Sequence, residues 1–95
     1  ARAAENDVLL RVCLGYTDLL RAEGRRAIAA RNRGEAAEVV RLTEAYARAG
    51  QGRKADADRA AVDLRRREAD VTQAEADALT ATARLARLLD LDPST

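Results

Sequence analysis

The sequence predicts an all-α fold, a long antiparallel two-helix coiled-coil hairpin, and three observations predict it. Two Ala-rich stretches with heptad apolar spacing fill nearly the whole of the 95 residues. A single short break, Gly50 and Gly52, separates them. The chain has no Phe, Trp, Met or His, and its one proline, Pro93, stands almost at the C-terminus, so no large side chains are available for a globular core. Both stretches exceed the roughly 8 to 20 residues of an ordinary globular helix.

The first helix is expected over residues 3–49. Leu9, Cys13, Tyr16, Leu20, Glu23, Ala27, Ala30, Gly34 and Ala37 follow alternating steps of four and three, with Glu23 the only polar member. A second track, Val8, Val12, Gly15, Leu19, Ala22, Arg26, Ala29, Arg33, Ala36, Val40, Thr43 and Ala47, keeps the same rhythm about 100° further round. The first helix therefore has two contact faces. Cys13, with no partner thiol in the chain, reads as a small apolar residue in a helix seam.

The turn follows from Gly50, which can take the left-handed conformation that ends a helix, and from Gly52, which loosens the next position. Asp56, three residues after Arg53, is placed to answer the free amides and the dipole of a new helix, half of a capping box. The second helix is expected over residues 54–90. Its seam is Ala57, Ala60, Leu64, Arg67, Val71, Ala74, Ala78, Ala81, Leu85 and Leu88, widened by Ala61, Ala76, Ala83 and Ala86. Pro93 biases Asp92 away from helical geometry, so the chain leaves the hairpin there. At 1.5 Å per residue the two helices reach roughly 70 and 55 Å.

Stability is expected to need neighbours. Two rods bury less surface than a sphere of equal mass. The apolar fraction is 47% but is dominated by Ala, and a methyl contributes only about 0.8 kcal/mol against roughly 1.5 to 3 for Leu or Val. The 17 basic and 16 acidic residues nearly cancel, which leaves no field to attract nucleic acid or anionic lipid. Asp7 with Arg11, Glu44 with Arg48 and Asp63 with Arg67 are spaced as i,i+4 ion pairs. Arg65, Arg66 and Arg67 point 100° apart on a helix and form solvated faces rather than a binding patch. Apolar runs are far shorter than the roughly 20 residues of a membrane span. A helical pattern already running at Ala1 points to a segment of a longer protein.

Chemistry is not expected. Asp56 with Asp58, or with Glu44 across the turn, is the only carboxylate constellation, and residues two apart diverge on a helix. No catalytic residue, cofactor or metal site is assigned.

Tyr16, Leu19 and Leu20 near the upper end of the first helix, the reversal at Gly50, Asp56 six residues on, Ala60 four further, and the closing Leu85, Leu88 and Leu89 come in an order that resembles the outer-membrane efflux protein family, the TolC-like channels. The likeness covers nearly the whole chain. It implies a trimer whose paired hairpins form a long α-barrel across the periplasm, below a β-barrel in the outer membrane that this segment lacks. It also implies that the turn, Gly50, Gly52, Arg53 and Asp56, docks and gates against a periplasmic adaptor (membrane-fusion) protein joined to an inner-membrane pump. From the heptad spacing, Leu9, Val12, Tyr16, Leu19, Leu20, Val40, Leu64, Val71, Leu85 and Leu88 are expected to pack helices together. The Leu-rich exit before Asp92 and Pro93 looks like the first of the family's two hairpins. The chain departs from the family where an aromatic commonly stands three before the turn glycine, here Ala47 with Tyr46 one earlier, and where a small hydroxyl residue is replaced by Arg53.

The alternative class is a freestanding antiparallel coiled-coil adaptor or oligomerisation module. It calls for one seam and a charged outer surface, whereas a wall of helices calls for two seams. Ala29→Glu or Ala36→Glu is expected to disturb assembly if the second track is an interface between hairpins, and exposed seams are expected to make the segment self-associate.

Overall fold

The computed structural model describes residues 2–90. It is an all-α helical hairpin of two helices, α1 (Arg2–Arg48) and α2 (Lys54–Asp90). These bounds differ by a residue or less from those read in the sequence, and the exit at Asp92 and Pro93 lies outside the described residues. Four threonines inside the helices, Thr17, Thr43, Thr72 and Thr82, bond their hydroxyls to a carbonyl one turn back, so they add no unsatisfied group.

Contacts divide the chain into two units, one of residues up to Arg26 with those from Ala74 on, and one of Ala27–Gln73. In the first, the terminal unit, the core is a cluster of Ala22, Ala78 and Ala81 with Leu19 packed against it. Ala22 is only 4% exposed. Gly15 sits under Leu85 and Leu88: a Cβ there would lie 3.1 Å from Leu88 Cδ1 and 3.9 Å from Leu85 Cα. The helices therefore meet at the close separation that small residues permit, near the short end of the usual 8 to 10 Å.

In the second, the turn unit, Ala36, Ala57 and Ala60 are buried and Val40, Thr43, Ala47, Ala61, Leu64, Arg67 and Val71 half-buried. Arg67, the one charged seam member of α2, pairs with Asp63 at 3.7 Å, its stem lying along the seam and its head reaching out. The reversal is a Schellman arrangement. Gly50 has φ 77°, the Gly50 amide bonds to the Ala47 carbonyl at 3.2 Å, and the Tyr46 carbonyl accepts the Gln51 and Gly52 amides at 3.0 and 3.1 Å. Arg53 then caps α2, its carbonyl accepting the Asp56 and Ala57 amides at 3.1 and 3.4 Å.

Three expectations change. The seam of α1 runs along the second track, with Asn32 half-buried where Arg33 was expected and Arg26 exposed. Leu9, Cys13, Tyr16 and Leu20 of the first track are exposed, so Cys13 is not in a seam of this chain. Ala76, Ala83 and Ala86 do not widen the seam of α2 either: they are exposed, because Ala76 is two residues from both Ala74 and Ala78 and so points across the helix from them. A charge at Ala36 would thus enter the hairpin's own seam, and the test of lateral packing belongs on the first track.

Candidate functional site

The turn and the uncovered flanks of the helices are the places where this chain can meet something else. At the turn, Gly50 is exposed and its missing side chain would meet nothing within 4 Å; its glycine is required by the positive φ alone. Gly52 is required by space. A Cβ there would fall 3.0 Å from Tyr46 Cβ and 3.4 Å from the Ala47 amide nitrogen, so the loop is pressed onto the last turn of α1 rather than loosened. Arg53 and Asp56 are exposed. Asp56 stands in the first turn of α2, where its charge complements the helix dipole. Tyr46 presents its exposed ring beside this loop.

On the flanks the two helices differ. Apolar residues of α2 gather on one face, whereas those of α1 are spread round the helix among its charges, so that apolar side chains stand on flanks that α2 does not cover. Leu9, Leu10, Leu14, Tyr16 and Leu20 are each more than half exposed in the terminal unit, as is Ile28 in the turn unit, where Val39, Leu42 and Tyr46 are also open. Of the residues expected to pack helices, Val12, Leu19, Val40, Leu64, Val71, Leu85 and Leu88 are half-buried in the hairpin, while Leu9, Tyr16 and Leu20 face away from α2.

Two grooves run between the helices of the terminal unit. One is lined by Asp18, Arg25, Asp77, Thr80 and Arg84 over the floor of Gly15, Ala22 and Ala81. The other is lined by Glu23, Arg26, Glu75, Leu79 and Thr82 over Ala78. Both grooves thus have charged walls over a floor of small residues, and the second adds Leu79. The three ion pairs read from spacing form, Arg11 with Asp7 at 2.9 Å, Arg48 with Glu44 at 4.0 Å and Arg67 with Asp63 at 3.7 Å. All are too exposed to count for much. Arg41 hydrogen-bonds Glu38 and holds its carboxyl below the ordinary glutamate value.

Sequence reading missed two tracks. Ile28, Asn32, Glu35, Val39, Leu42 and Tyr46 step by four and three along α1, and Asp56, Arg59, Asp63, Arg66, Asp70, Gln73, Asp77, Thr80, Arg84 and Arg87 do so along α2 without one apolar member. The same heptad arithmetic, continued round each helix, would have found both.

No family model matches the chain, and neither characterised proteins nor solved structures give a match. Among the described residues no helix is long and apolar enough to cross a membrane, and no group of three His, Cys, Asp or Glu is placed to hold a metal ion.

Proposed function

We propose that this hairpin is a stave in the periplasmic α-barrel of a trimeric outer-membrane efflux or secretion channel of the TolC-like kind. One observation carries the reading: α2 covers a single track of α1, and the apolar residues on its other flanks lie open. A stave in a closed wall needs lateral neighbours, and the uniformly polar track of α2 suits the face turned to a water-filled bore. The clamped turn, with Gly50, Gly52, Arg53 and Asp56 at its surface, is the docking point for a periplasmic adaptor protein and, through it, an inner-membrane pump. Small shifts of α2 at that end, biased by adaptor contact, would gate the entrance.

The test is Leu20→Glu in the full-length protein that carries this hairpin. Leu20 is 55% exposed, so the isolated chain keeps its helix content by circular dichroism. The envelope protein loses its trimer on native gels and its export activity, and a photo-crosslinker at Arg53 labels an adaptor only in the unsubstituted protein. Intact trimers and export in the variant would sink the proposal. A chain that works as a lone hairpin, indifferent to a charge at Leu20, is the coiled-coil adaptor or oligomerisation module instead.

A further inference from the structure

We infer that the first groove of the terminal unit is a three-point binding site for an acidic amino acid of the glutamate type, held between the two helices by Asp18, Arg25 and Arg84. The groove measures about 430 Å³, within the size range of small-molecule clefts. Gly15, Ala22 and Ala81 are buried and form its floor, which leaves the space between the walls open. Asp18, Arg25 and Arg84 are exposed on those walls, and among the described residues none of them has an ion pair or a side-chain hydrogen bond. Arg11 and Arg26 of the same unit, by contrast, are paired along α1. Thr17 and Thr82 turn their hydroxyls back onto the helix, whereas that of Thr80, on the wall of the groove, is free. Asp77, on the same wall, already has a bonding partner.

Heights along the groove follow from the core. Ala22 and Ala81 share one cluster, and the helices run antiparallel. Asp18 is four residues from Ala22 and Arg84 three from Ala81 in the same direction, so they stand across from each other to within about 2 Å of height. Thr80 is one turn from Arg84 on its own wall. That end of the groove therefore offers a carboxylate on one side and a guanidinium with a free hydroxyl on the other. It matches the ammonium and the α-carboxylate that a free amino acid carries on one carbon. Arg25 stands on the Asp18 wall about 10 Å further along. The ligand side chain runs over the alanine floor towards it, and a second carboxylate meets the guanidinium at the tip of the arginine stem. Each unpartnered charge thus finds its opposite, whereas a neutral side chain leaves Arg25 unanswered.

This site lies within one hairpin and needs no neighbour, so it holds or fails apart from the channel reading. An NMR titration of the isotope-labelled chain at constant ionic strength tests it. L-Glutamate moves the amide signals of Gly15, Ala22 and Ala81 along saturable curves in the millimolar range. Glutamine, which lacks the second carboxylate, and glutarate, which lacks the ammonium, bind about fivefold or more weakly. Arg25→Gln brings glutamate down to the level of glutamine, and Arg84→Gln or Asp18→Asn removes saturation. Helix content by circular dichroism is unchanged in all three, because the residues are exposed. Arg21→Gln, on the same helix but outside the groove, binds glutamate as the native chain does. The inference is overturned if glutamate, glutamine and glutarate act alike on the native chain, if Arg25→Gln leaves glutamate binding as it was, or if the response is linear like that to sodium chloride.

Discussion

Gly50 and Gly52 are two residues apart and are glycine for different reasons. At Gly50 an L-residue strains a backbone held at φ 77°, at about 1 to 2 kcal/mol. Gly50→Ala should therefore lower the thermal midpoint by roughly 4 to 16 °C for a chain of this size, with Gly50→Asn losing less, as calorimetry will show. The left-handed glycine was legible in the sequence because a helix that stops and turns back needs one. The close approach of Gly52 to Tyr46 was not, since it depends on how the loop lies on the turn before it. Glu38 offers a second check. Its carboxyl is held below 4.5 by the Arg41 hydrogen bond, so its small contribution is present at neutral pH and fades as pH falls below that value. An NMR titration should place its midpoint under that of an ordinary glutamate, and Arg41→Ala should return it there.

Each helix was legible as an element because heptad spacing and ion-pair spacing depend only on the 3.6-residue period. All ten residues assigned to the seam of α2, from Ala57 to Leu88, are buried or half-buried. For α1 the sequence offered two good tracks, and the partner took the one with Gly15, Ala22 and Ala36 rather than the one with Tyr16 and Leu20. Small side chains let two axes close up, whereas Tyr16 and Leu20 would hold them apart, so an Ala-rich α2 selects the narrower face. Ala78→Leu should be more damaging than its added apolarity suggests. It forces bulk against Ala22 where overpacking costs about 1 to 3 kcal/mol, and urea unfolding will report the loss as a lower midpoint. The same change at Ala83, which is exposed, should leave the midpoint near that of the native chain.

At the scale of the molecule, function was the least legible level, because the faces that would decide it touch nothing within one chain. The exposed leucines of α1 and the exposed Leu79 of α2 have no role inside the hairpin, and surfaces of this kind become meaningful only between molecules. Among the described residues, for their part, the buried hydrophobic side chains are all alanine, with no larger one fully buried. Methyl groups interlock weakly, and one rung of such a ladder resembles the next. What sets the height of one rod against the other is then the clasp at Tyr46, whose carbonyl holds two loop amides at once. With that clasp cut, the fit of Gly15 under Leu85 and Leu88, where no Cβ has room, would be left to resist a slide of one rod along the other.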